Sequence, residues 1–184
     1  PVDQGMTRRH MVSALTMLSR HKLDSPGSSY AEVADALSTH GVRGHIAADR
    51  EELFARMVFN ILVSNDDDHL RNHAFLCDPE RAGWRLSPLY DVVPRPQVAM
   101  ERMLHLAAGP EGRLATLDNA LHGAGRFGLM LPAAARIIDR VARATSNWRQ
   151  TFDRLRVPGR LSEQLAAAFR PAGDIGMREV AKHL

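Results

Sequence analysis

With 184 residues, 45% of them apolar and 24% charged, the chain is long enough to bury one hydrophobic core and has the make-up of a globular protein. An aromatic fraction of 5%, with plentiful Ala and Leu, excludes an all-β reading, and a net charge of +3 with its arginines spread along the chain supplies no nucleic-acid stripe. The lone Cys77 excludes an internal disulfide or an all-Cys zinc site, and without a secretory leader or an apolar run of roughly 18 residues the expected compartment is cytoplasmic.

Residues 7–20 carry Met11, Val12, Ala14, Leu15 and Leu18 at spacings of three and four, which predicts a first helix with Thr7 as its N-cap. Residues 22–28 have loop chemistry in Asp24, Ser25, Pro26 and Gly27. Ser29 and Glu32 then form a capping box for a helix that runs to about His40 and ends at Gly41. Asp49 and Glu52 make a second box-like start, followed by Leu53, Phe54, Met57, Val58, Ile61 and Leu62, the strongest helical stripe in the chain. It stops where Ser64, Asn65 and three consecutive acids favour side chain to backbone bonds over helix.

Residues 73–77 and 84–87 predict the strands of a hairpin, with a turn over 78–83 that contains Pro79 and Gly83. Pro88 and Pro94 bracket a restrained segment holding Asp91, which the hairpin can fold back toward the acids. Residues 98–108 read equally as strand or short helix. Beyond Pro110, helices are predicted over 114–124, 132–155 and 162–169, with Trp148, Phe152 and Leu155 assigned to the core. The Gly-rich stretch 123–128 lacks the strand and the Gly-Lys ending of a phosphate loop. The expected class is mainly α with a small β-hairpin, in one unit across 1–184.

The chemistry concentrates in Asn-Asp-Asp-Asp-His-Leu-Arg-Asn, residues 65–72. Phosphoryl transfer needs a carboxylate near the acceptor hydroxyl, oxygen ligands for Mg²⁺ and positive charge near the moving group. Asp67 precedes Asn72 by five residues, the spacing between base and metal-binding Asn in a kinase catalytic loop, and Asp91 follows a hairpin as the second metal-binding Asp of kinases does. Spacing selects Asp67 as base, leaving Asp66 and Asp68 to cap the loop or pair with Arg. His69 and Arg71 can reach the transferring phosphate or order the loop. A zinc pair of His69 and His73 is the weaker reading, because carboxylate and amide oxygens suit Mg²⁺.

The run Phe-Asn-Ile-Leu-Val-Ser-Asn-Asp-Asp-Asp-His-Leu-Arg-Asn-His-Ala-Phe-Leu, residues 59–76, and the run Trp-Arg-Leu-Ser-Pro-Leu-Tyr-Asp-Val-Val-Pro, residues 84–94, resemble the C-terminal lobe of HipA-type toxin kinases. A looser likeness extends to residues 13–18 and to the helical end. The resemblance implies a protein-kinase-like fold and an ATP- and Mg²⁺-dependent serine/threonine kinase, with Asp67 as catalytic base, Asn72 and Asp91 as cofactor and metal ligands, and His69 and Arg71 in support. It further implies a substrate in the translation machinery, such as an aminoacyl-tRNA synthetase, and a helix-turn-helix antitoxin as partner, with DNA contacted only through the antitoxin. Lysine occurs only at Lys22 and Lys182, so the nucleotide-binding N-terminal lobe has no counterpart, and a fragment with little activity alone is expected. Two other readings are a non-catalytic module that docks an antitoxin or another partner and a small-molecule or lipid kinase.

Overall fold

The computed structural model describes residues 8–184. It is organised around helix α3 (Ile46–Leu62), whose Leu53, Phe54, Met57, Val58, Ile61 and Leu62 are all buried. Against it lie α2 (Tyr30–His40) on one side and α5 (Leu131–Ser146) on another, joined in one apolar cluster with Tyr30, Val33, Leu37, Ala134 and Ile138. Burying such stripes supplies most of a helix's stability in a protein, since isolated helices of this length are marginal.

Helix α2 opens with the expected box: Ser29 Oγ accepts from Glu32 N, and Glu32 accepts from Ser29 N at 2.8 Å. It ends at Gly41, although not through a left-handed turn, since Gly41 is extended. Glycine is needed for room, because a β-carbon there would sit 2.3 Å from the Leu37 carbonyl oxygen. Helix α3 begins one turn earlier than its expected box, and its N-cap His45 makes no capping bond. Asp49 is drawn away by a long-range partner: its carboxylate takes Arg85 Nε and Nη2 at 2.8 and 2.9 Å and Leu86 N at 3.1 Å. The pair fastens the hairpin to α3.

That hairpin, β2 (Ala74–Asp78) and β3 (Gly83–Leu86), lies within a residue of its expected place. The helix predicted over 7–20 is a correction. Residues Met11–Ser13 form β1, antiparallel to β2 with Val12 opposite Phe75, and only Ala14–Met17 continue as a single-turn helix, α1. An open edge on β2 would leave its backbone groups unpaired, and β1 covers it. Thr7, the expected N-cap, lies outside the described residues.

Residues 98–108 are neither helix nor strand, with isolated bridges pairing Met103 to Leu114 and Ser29 to Ala107. The first of these delays the next helix to α4 (Leu117–Gly123), capped by Thr116. The helix predicted over 132–155 divides into α5 and α6 (Trp148–Arg154). At the break, Ser146 Oγ and Asn147 Nδ2 both donate to the Arg143 carbonyl, competing with the helical ladder. Helix α6 buries none of its residues, so Trp148, Phe152 and Leu155 are not core: Trp148 stacks on Phe169 with centroids 4.2 Å apart, and Leu155 is exposed. Helices α7 (Gly159–Leu165) and α8 (Met177–Val180) complete the chain. None of the described helices is long and apolar enough to cross a membrane.

Candidate active site

Helix α3 ends at Val63 on Ser64, which turns the chain out with φ of 55° and anchors the exit by donating its hydroxyl to the Ala168 carbonyl. Asn65 then folds back, its amide donating to Asn60 Oδ1 at 3.1 Å, while Asn60 donates to the Tyr30 hydroxyl at 2.8 Å. The acidic loop therefore starts from a buried polar network rooted in α2 and α3.

The three acids have three environments. Asp66 accepts from Gln97 Nε2 at 2.8 Å and lies 3.1 Å from Arg95 Nε, the arginine pairing expected of it. Asp67 is 60% exposed, with Arg95 Nη1 at 3.3 Å and His69 Nε2 at 4.0 Å from its carboxylate oxygens. Asp68 departs from expectation: it neither caps nor meets an arginine. It is buried, taking the Tyr30 hydroxyl at 2.5 Å and His105 N at 2.7 Å. Burial pushes its carboxyl up to about 6, with those two bonds opposing the shift, and pushes the Tyr30 hydroxyl well above its ordinary range. The loop is thus pinned on Asp68, and its neighbour Asp67 is presented to solvent.

Asn72 closes the loop, its Nδ2 donating to the Asp67 carbonyl at 2.8 Å. That bond uses one of the amide's two N–H donors, and Oδ1 has no partner among the described residues. Arg71 Nη2 lies 3.3 Å from His69 Nε2, so the two supporting residues touch. The stretch after the hairpin returns to the loop at two points. The Tyr90 hydroxyl donates to the Arg71 carbonyl at 2.6 Å, and Arg95 N donates to the Val63 carbonyl at 3.2 Å. Asp91, between these points, is exposed with φ of 54°, a conformation Asp tolerates better than most residues, and has no partner among the described residues.

An exposed carboxylate at Asp91 and the free amide oxygen of Asn72 are the hard donors that Mg²⁺ takes, one or two protein oxygens with the rest from water and phosphate. Among the described residues no three His, Cys, Asp or Glu side chains cluster as a preformed metal cage. His73, half of the zinc pairing, is wholly enclosed with its ring edge-on to Tyr30 at 5.1 Å, and burial pulls its pKa down to about 4. Tyr30, Asn60, Arg95 and His105 escaped the sequence reading. Arg95 carried a faint signal, standing between Pro94 and Pro96, while the other three look like ordinary helix or loop residues.

Residues 2–148 match the family described as HipA-like C-terminal domain. A Haemophilus influenzae (strain Rd) protein named "Putative kinase" is 35% identical over 81 residues, which is 42% of this chain and 23% of that protein. Among solved structures, a chain of the Shewanella oneidensis MR-1 complex of the toxin–antitoxin system HipA, HipB and operator DNA superposes with a TM-score of 0.61 at 20% identity. The likeness covers all of this chain and 43% of that one, and at such identity it speaks for the fold alone. The chain thus spans less than half the length of either relative.

Proposed function

The chain belongs to the HipA-like C-terminal domain family, and from that premise we propose that it is the catalytic lobe of a serine/threonine protein kinase, the toxin of a toxin–antitoxin pair. The reaction is transfer of the ATP γ-phosphoryl group to a protein hydroxyl. One observation carries the reading: the bond from Asn72 to the Asp67 carbonyl, at 2.8 Å, holds an exposed carboxylate and an outward amide oxygen on one closed loop.

In this reading Asp67 takes the proton from the acceptor hydroxyl as that oxygen bonds phosphorus and ADP leaves. Arg95 and His69 hold its carboxylate in place, and Asp68 fixes the backbone beneath it through Tyr30 and His105 N. Asn72 and Asp91 would hold Mg²⁺, which when bound neutralises charge on the phosphates. Arg71 supplies positive charge beside the moving group, with the His69 ring against its guanidinium at 3.3 Å ordering it. The name of the Haemophilus relative supports a kinase, and the Shewanella complex of HipA with HipB and operator DNA supports an antitoxin as partner; in this proposal that antitoxin is a helix-turn-helix protein through which DNA is reached. A substrate in the translation machinery completes the proposal.

The test uses the full-length protein: Asp67→Ala should abolish transfer to protein while leaving the fold intact, and retained transfer would remove Asp67 from its role. A second reading, an interaction module, draws on a groove of about 490 Å³ lined by Phe59, Pro94, Val141, Trp148, Phe152 and Phe169. It is favoured if an antitoxin still binds after joint loss of Asp67, Asn72 and Asp91 and the full-length chain phosphorylates nothing.

A further inference from the structure

Arg102 sits where the chain leaves α3 for the acidic loop, and the stretch after the hairpin passes the same corner. Half-buried, it places four hydrogen bonds on three separate segments. Its Nη1 donates to Ser64 Oγ, at the left-handed corner, and to the Ala167 carbonyl at 3.1 Å. Its Nη2 donates to the Gln97 carbonyl at 2.8 Å and its Nε to the Ala99 carbonyl at 3.0 Å. The guanidinium thus commits four of its five N–H groups, a fan that an ammonium with three donors cannot reproduce.

Every one of these acceptors is a carbonyl or a hydroxyl. The charged neighbour of Arg102 is Arg170, which likewise donates to carbonyls, those of Ala115 and Met100. Burial and Arg102 pull Arg170 down to about 10, with Asp174 opposing, and burial lowers Arg102 as well. Holding a cation partly out of water without a bonded acid costs free energy, so ion pairing does not account for Arg102. What it secures is the relative placement of three segments.

Two of those segments meet at the acids. Gln97, whose carbonyl Arg102 holds, donates its side-chain amide to Asp66 Oδ2 at 2.8 Å. Arg95, two residues earlier, donates its N–H to the Val63 carbonyl beside Ser64 and spreads its guanidinium over both carboxylates, 3.1 Å from Asp66 and 3.3 Å from Asp67. The His69 imidazole stands off from Asp67 at 4.0 Å, so Arg95 is the nearer restraint on that exposed carboxylate.

We infer that Arg102 is a positioning residue for phosphoryl transfer: by clamping residues 97–99 to the Ser64 corner it holds Arg95, and through Arg95 the Asp67 carboxylate, in place on the loop. Its catalytic meaning rests on the kinase reading, whereas the clamp can be observed without it.

The clamp is read in the 184-residue chain from the carboxylate carbon resonances of isotope-labelled aspartate. Arg102 bonds to no aspartate, yet Arg102→Met should move the Asp66 and Asp67 signals toward the positions they take in Arg95→Met, with Asp78 in the hairpin unmoved. Arg102→Lys, which keeps the charge without the fork, should move them the same way and replaces the Met variant if that one does not fold. In the full-length protein, Arg102→Met should slow transfer at saturating ATP roughly ten- to a hundredfold, the scale of a displaced catalytic group. The Arg95→Met/Arg102→Met double variant should be no slower than the worse single one, because both changes act on the same carboxylate. In folded variants, unmoved Asp66 and Asp67 signals, undiminished transfer, or single effects that multiply in the double variant would each overturn the proposal. Wild-type protein without transfer would refute the kinase reading alone, and the aspartate signals would still decide the clamp.

Discussion

Replacing Asp68 by Asn should expose a titration that His73 otherwise conceals. In the folded chain Asp68 titrates near 6 rather than 3.8, so the fold favours its protonated form. Its contribution to stability is full below pH ~4 and is lost as pH rises through ~6, a change of about 3 kcal/mol at 1.36 kcal/mol per unit. His73 does the opposite. Its pKa falls from 6.5 to about 4, so the fold favours neutral imidazole. That contribution is full above pH ~6.5 and is lost as pH falls through ~4, again about 3 kcal/mol. Over this window the two slopes cancel. Urea unfolding followed by circular dichroism between pH 4 and 6.5 should show Asp68→Asn gaining about 3 kcal/mol on wild type as pH rises, with His73→Phe losing about as much. Both variants running parallel to wild type would refute the burial argument for this pair.

Asp67 is largely solvent-facing, so Asp67→Asn should leave the unfolding midpoint within about 0.5 kcal/mol of wild type while full-length phosphoryl transfer falls by roughly a hundred- to ten-thousandfold. In calorimetry with ATP and Mg²⁺, Asp91→Asn should abolish the weak binding expected of wild type, and identical isotherms would count against its role. Asn is the better choice over Ala because φ at this position is 54°, where Ala would add a backbone cost of about 1 kcal/mol. Asp49→Ala strands the Arg85 guanidinium and the Leu86 N–H, for a loss of ~2–3 kcal/mol in chemical denaturation. Gly109→Ala would place a β-carbon 2.0 Å from the Asn119 carbonyl oxygen, and a fall in the thermal midpoint is expected where relief of the clash shifts α4.

Much of this molecule was legible along the chain because the determinants are local. The Ser29 and Glu32 box, the apolar stripe of α3 and the turn between β2 and β3 each act within a few residues, and the structure has all three. The five-residue step from Asp67 to Asn72 is local too, and the closing bond between them follows it. Where periodicity alone was followed, it misled: residues 11–13 have a helical stripe but pair with residues 74–76, a partner some sixty positions away that no window contains.

What tertiary structure alone decided is the division of labour among charges. Asp66, Asp67 and Asp68 are chemically identical in sequence, and Asp49 looks like a helix-start residue. Asp68 is separated from the others by Tyr30, 38 residues before it, and by the backbone of His105, 37 residues after it; Asp49 is claimed by Arg85, 36 residues on. A buried charge is tolerated only where such partners converge, and convergence of distant residues is a property of the packed fold. The chain offers three adjacent acids to the loop, and packing chose the one left facing solvent.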